Sequence, residues 1–280
     1  MRLFIIVGFF FCFVQNTFAQ FGAGTKLTKG VQGTELIVVL DPVYGDAYND
    51  AIQEAVEKYW TFTPKFRFIS GPQFKQFCKD PKYSFLMRFE MKDATLTEEA
   101  YINLGIINGG KACKQAIEDW TAYANINIFN DGSYKTECIR AVQMMQNYLQ
   151  LSSKNNISSL KNYEETYAIY NKSKVELEKK QIILQLDECL EEFQDLQKIR
   201  TYYPQKLKFV AFEALNAATL KQNPDLVYHV LARDTEGYRY HLFVQAKDSK
   251  ILFANEAKRK DRCLIGKETL KIMADGLAKP

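Results

Sequence analysis

The chain has 280 residues, with 37 Lys and Arg against 33 Asp and Glu for a formal charge of +4, and it is 47% hydrophobic and 14% aromatic. That is the composition of a globular protein able to build real cores. The near balance of charge, with no Lys/Arg stripe along any segment, argues against nucleic acid as the main partner.

Residues 1–19 set out as a secretory signal peptide. Arg2 precedes an apolar run from Leu3 to Val14, and Thr17-Phe18-Ala19 offers small residues at the cleavage positions. The run is too short to cross a bilayer of about 30 Å as a helix, and no other run approaches that length. The mature chain is therefore expected to begin near Gln20 and to work outside the cytoplasm, in the periplasm, at the outer membrane or secreted. This leader, ending Phe18-Ala19-Gln20, resembles those of exported bacterial proteins. Of six cysteines Cys12 falls in the leader, and the other five are odd in number and widely spaced. They predict at most two bridges and at least one free thiol.

Residues 20–34 read as a Gly/Thr/Lys-rich flexible arm. Glu35-Leu-Ile-Val-Val-Leu-Asp41 is a buried strand closed by an acid and Pro42. A helix follows on the spacing of Ala51, Ile52, Ala55, Val56, Tyr59 and Trp60, then a strand at 65–69, a short helix at 72–78 and a strand at 83–89. Residues 101–107 and 124–129 are further strands on either side of Gly109-Gly110. Residues 136–151 form a helix, and the Ser/Asn-rich stretch 152–159 is a linker.

After that linker the order begins again. Gln181-Ile-Ile-Leu-Gln-Leu-Asp187 matches 35–41, with Leu-Asp at the end of both. A helical pattern runs from Leu190 to Tyr203, Lys206-Leu-Lys-Phe-Val210 matches Lys65-Phe-Arg-Phe-Ile69, and a helix spans 212–220. Leu226, Tyr228 and Val230 then match Tyr83, Phe85 and Met87, with Pro224 and Pro81 each two residues before the strand. Two antiparallel strands at 238–246 and 251–254 and a helix over 264–277 close the chain. The expected fold is α/β or α+β, made of two related β-α-β-α-β units at 35–136 and 179–280, joined by a helical connector at 137–178. The Tyr-, Lys- and Glu-rich part of that connector, with Tyr163, Tyr167 and Tyr170, reads as a solvated helix or docking arm.

Chemistry-bearing groups are few. His229 and His241 lie on adjacent predicted strands. A three-residue loop would set them directly across from each other, and a four-residue loop would put them on opposite faces. No further ligand is placed by spacing, so no metal site is expected, and no cofactor or catalytic constellation is expected either. Asp41 and Asp187 each end the first strand of a unit, where open α/β sheets bind ligands, although each could equally cap its loop. Gly109-Gly110-Lys111 before a polar helix at 112–120 suits an anion-binding turn or a plain one. Tyr44, Tyr48 and Trp60 cluster after the first strand and would suit a protein-binding face if exposed. Asn156 and Asn171 fit glycosylation sequons. The function expected from these features is that of an exported, non-enzymatic accessory or binding protein of the bacterial envelope, acting on an envelope protein partner. The alternatives are a small-ligand protein using the crevice between the halves through Asp41 and Asp187, and an unrecognised envelope hydrolase.

Overall fold

The computed structural model describes residues 19–21, 25–89, 101–110, 124–129, 131–155, 163–233, 239–257 and 264–278. Most of the leader, Lys111 with the helix at 112–120, the sequon at Asn156, and Cys12, Cys113 and Cys263 lie outside them. Among these residues eleven strands and eight α-helices follow in chain order. They are β1 Ala19–Phe21, α1 Thr25–Gln32, β2 Glu35–Leu40, α2 Gly45–Tyr59, β3 Lys65–Ser70, α3 Phe74–Phe77, β4 Tyr83–Phe89, β5 Tyr101–Asn108, β6 Ala124–Phe129, α4 Tyr134–Lys154 and α5 Tyr163–Asn171. The second half continues with β7 Gln181–Leu184, α6 Leu196–Arg200, β8 Leu207–Phe209, α7 Phe212–Leu220, β9 Leu226–Arg233, β10 Arg239–Gln245, β11 Ile251–Glu256 and α8 Lys267–Ala274.

The strands form two mixed sheets, ordered β1-β6-β5-β4-β2-β3 and β11-β10-β9-β7-β8. Without β1 the two orders are the same topology. The register agrees as well: Ile37 lies between Arg67 and Phe85, and Ile183 lies between Lys208 and Tyr228. The equivalent residues are thus 146, 141 and 143 positions apart, as the sequence pairing requires. The protein is an internally duplicated α/β chain.

Strand alternation decides which helices each face meets. Leu36, Val38 and Leu86 face α2 and α4 in the main core. Ile37, Phe85 and Ile107 face α3 in a smaller one. In the second sheet Ile182 and Leu184 face α6 and α8, whereas Ile183 and Tyr228 face α7 and share the main core with α4. Because Ile37 is equivalent to Ile183, the second unit sets its α7 face on the α2/α4 face of the first. The units therefore stack head to tail.

Helix α4 lies in that junction and is buried without break from Thr136 to Met145, as a helix between two layers must be. Gln143 joins it to Gln222 and Ser249, at 2.9 Å each, and Asn147 joins it to the Asp248 carbonyl at 2.8 Å. Among the described residues no helix is long and apolar enough to cross a membrane.

Three segments differ from their sequence reading. Within the expected flexible arm, α1 is a helix packed on α4, with Val31 in the core and Thr28 bonded to Ser152 at 2.8 Å. Its short apolar flank is hidden among Gly and Lys in the sequence. The single helix expected from Leu190 to Tyr203 is instead one 3-10 turn, Glu191–Phe193, and the five-residue α6, whose start Asp195 caps by accepting from the Gln197 N–H.

The third is α5, which is docked on the second sheet. Tyr170 is buried and Tyr167 packs on Tyr240 with ring centroids 4.5 Å apart. The Asn171 amide donates to the Ala254 carbonyl at 3.0 Å and accepts from the Ala254 N–H at 2.8 Å, which closes part of the edge of β11. That side chain is committed, so its sequon does not offer a free amide for a glycan. Asn171→Ala is expected to lower stability by about 1–2 kcal/mol, because two backbone groups lose their partners. A drop in urea midpoint at unchanged slope would show it.

Candidate functional site

In each unit the chain leaves the first strand to one side, returns, and enters the third strand on the other. The divergence falls between β2 and β4 in the first sheet and between β7 and β9 in the second. Crevices for ligands form at the carboxyl ends of such diverging strands. Both carry an acid against a base.

In the first unit Asp41 follows β2 and Arg88 lies on β4. Asp41 Oδ2 accepts from Arg88 Nε at 2.8 Å, and Oδ1 accepts from the Val43 N–H at 2.8 Å. The Asn49 amide brackets the Asp41 backbone, accepting from its N–H and donating to its carbonyl. Arg88 also lies over the Tyr44 ring, 5.7 Å from its centroid. Asp41 thus caps its loop and anchors a strand with the same carboxylate.

In the second unit the equivalent Asp187 is exposed on a 3-10 turn, and the next residue takes the inward place. Glu188 Oε2 accepts from the Gln185 N–H at 2.7 Å, and its Oε1 lies 3.1 Å from His229 Nδ1. His229 Nε2 in turn meets His241 Nδ1 at 2.9 Å. The three side chains are buried, and His241 is wholly inaccessible.

The strand register explains the histidine contact. His229 is opposite Phe243, and Leu231 is opposite His241, so the imidazoles are diagonal neighbours on one face. Pairing runs to Arg233 and Arg239, which leaves a five-residue connection. The two arrangements considered from sequence, directly opposed and on opposite faces, both give way to this diagonal one.

Which ring donates in this contact between the imidazoles depends on the tautomers, and the Glu188 contact is a close approach outside hydrogen-bond geometry. His229 Nδ1 and His241 Nε2 are both buried with no hydrogen-bond partner among the described residues. Burial, with His229 as the second cause, holds the His241 pKa well below the ordinary imidazole value. Among the described residues no three His, Cys, Asp or Glu side chains are arranged to hold a metal ion. Cys189, next to Glu188, is a buried free thiol whose pKa burial raises; Cys78 and Cys138 are also free and buried.

Asp41 and Asp187 occupy equivalent places in separate sheets, and α4 with its hydrogen bonds fills the junction between the units. Of the aromatic cluster, Tyr48 and Trp60 are core residues at 2% and 4% exposure, and Tyr44 is half-buried. The Trp60 indole N–H donates to Thr63 Oγ at 2.8 Å, which fixes the turn into β3. Beside this turn runs an open groove of about 550 Å³, lined by Glu35, Trp60, Thr63 and Phe66 among others. Gly109-Gly110 packs against the backbone at Asp80 and Pro81, so its glycines meet a close approach of chain.

The sequence held one unread signal for the buried cluster: Glu188, a second acid directly after the matched Leu-Asp of the second unit, with a base on the third strand of both units. Fold and site together define a tandem α/β protein with an acid–base contact at each strand divergence. No family model, no curated protein and no solved structure matches it.

Proposed function

We propose that this chain is an exported, non-enzymatic binding protein of the bacterial envelope that holds an extended segment of a protein partner along β3. The observation that carries the reading is the state of that strand. β3 ends its sheet, pairs with β2 alone among the described strands, and keeps Phe66 and Phe68 only half-buried, their rings 5.8 Å apart. The groove at Trp60 and Phe66 adjoins it. An open strand edge beside partly exposed apolar side chains is a template for strand addition, in which backbone bonds give affinity and side-chain pockets give selectivity. The signal-peptide pattern of residues 1–19 supports export, and the burial of Glu188, His229 and His241 keeps the most reactive cluster away from any substrate.

The test is site-specific photo-cross-linking in the native cell. A benzophenone amino acid replaces Phe66, and a control replaces Lys221, exposed after α7. The expected result is an adduct with one envelope protein from position 66 alone, lost when Phe68→Glu is added. No adduct, or the same adducts from both positions, would overturn the proposal.

A further inference from the structure

We propose that the segment held along β3 runs antiparallel to it and carries, from its N- to its C-terminus, an apolar residue, any residue, an apolar residue and an acid. The inference rests on the strand-addition reading of β3 and assigns the chemistry that this edge selects.

The backbone sets the length. The Glu35 N–H donates to the Lys82 carbonyl at 3.0 Å, so Glu35 turns its peptide groups toward β4. Leu36 and Val38 therefore turn theirs toward β3, where they lie beside Phe66 and Phe68 in parallel register. In that pattern β2 takes the peptide groups of Lys65, Arg67 and Ile69. The second unit bonds in the same way: the Ile182 N–H donates to the Lys206 carbonyl, and the Val210 N–H to the Leu184 carbonyl. Phe66 and Phe68 are left with N–H and C=O groups directed at the open edge, where no described strand meets them. Both ends of this stretch are stopped. Pro64 has no N–H to offer, and the Ser70 N–H donates to Gln73 Oε1 at 2.9 Å. The edge is thus a short ladder. An antiparallel segment exchanges both bonds with Phe66 through one residue and both with Phe68 through another. A parallel segment spreads the same bonds over a longer stretch, in the less stable slanted pattern.

The side chains set the composition. Phe66 and Phe68 stand on one face of β3, partly buried against the main core. Residues across from them put their side chains on the same face, and apolar ones complete that burial. Lys65 and Arg67 stand on the other face, with Glu35 directly beside Lys65. Arg67 takes that carboxylate, its Nη2 donating to Oε2 at 3.2 Å, and folds inward over the Phe77 and Tyr83 rings. Glu35 is thereby committed, and Lys65 is exposed with no acidic partner among the described residues. An acid across from Lys65 supplies one, at a position where antiparallel strands bring side chains closest. The inward turn of Arg67 leaves the place between the apolar residues unrestricted. Past the acid, the segment runs toward the groove beside Trp60 and Thr63.

The test is a phage-displayed random heptapeptide library selected on the full chain and, in parallel, on Lys65→Glu and Phe68→Glu. The expected result is enrichment of apolar–any–apolar–acid on the unaltered protein and its loss on Phe68→Glu. On Lys65→Glu the last place should change from acid to Lys or Arg; Lys65 is exposed, so its replacement leaves the core intact. The best peptide is then N-methylated and its Kd read by fluorescence anisotropy. A methyl on the N–H of either apolar residue, which faces β3, should weaken binding at least about tenfold, and one on the residue between them by less than about twofold. Enriched peptides that depend on Phe68 but lack the acid, or keep it on Lys65→Glu, would overturn the inference and leave β3 as a docking edge. Enrichment that ignores Phe68, or none at all, would overturn both.

Discussion

Arg140→Met is expected to cost about 3–5 kcal/mol of folding stability, the loss typical of a buried ion pair stripped of one member. Glu137 and Arg140 sit one turn apart on α4, with side chains 0% and 3% exposed, and they are in direct contact. Arg140 also lies over the Tyr228 ring of the second sheet, 6.0 Å from its centroid, and Glu137 accepts from the Phe129 N–H of the first. The pair thus touches both units at their junction. Without Arg140, a carboxylate would remain in an apolar layer. Burial already raises the Glu137 pKa above its ordinary value even with the guanidinium beside it.

A pKa raised in the folded state means that the folded form holds its proton to higher pH than the unfolded one. Stability of Arg140→Met should therefore recover as pH is lowered from 7 toward 5, read as a rise in urea midpoint. Adding Glu137→Leu should restore most of the loss at neutral pH, because two apolar residues need no mutual compensation. If the double variant is as weak as the single one, packing against Tyr228 rather than charge holds the junction.

Gly109→Ala is expected to cost about 3 kcal/mol, more than Gly110→Ala at about 1 kcal/mol. A Cβ on Gly109 would lie 2.3 Å from the Asp80 carbonyl oxygen and 3.2 Å from that of Cys78. Both obstacles are backbone, so no rotamer relieves them. Gly110 has φ +87° but meets only the Pro81 ring, at 3.3 Å. The duplication makes the point sharper. The Gly109 N–H donates to the Tyr83 carbonyl, and Ala246 makes the equivalent bond to Leu226. Alanine is tolerated there, so the demand for glycine comes from the Cys78–Asp80 backbone and not from the turn. Thermal unfolding of the two variants checks the order, and a larger loss at Gly110 would show that the Asp80 backbone yields.

Periodicity and order in the sequence were enough to place the strands, the duplication and its offsets, because a repeated run of strand, helix and strand carries its own alignment. They were not enough to say what covers each face. Tyr48 and Trp60 follow helical spacing, which gives them a side of α2 and the turn after it, but only α4 and Tyr134 make that side an interior. Helix α4 looked like part of a connector and is the centre of the stack, since its surroundings come from a sheet some 40 to 110 residues further along. Asp187 was matched to Asp41 by position, yet a 3-10 turn exchanges the roles of neighbouring residues and sends Glu188 inward. The histidine contact depended on a connection length that alternation alone does not determine.

Stacking by translation gives the protein two unlike ends. A two-fold pair would present the same surface twice, whereas here an equivalent of every exposed face is covered by the other unit. The trailing face would invite a third unit, but its outer side carries Gln197, Lys198, Arg200, Lys267, Glu268 and Lys271 in solvent. It closes the series as the polar terminal repeat of a solenoid does. Two equivalent outer strands are just as unequal: β3 runs for six residues, and its counterpart β8 for three. Gene duplication has enlarged the core without repeating the β3 edge at full length, so, on the function proposed for β3, the valency expected of that edge toward an extended peptide is one.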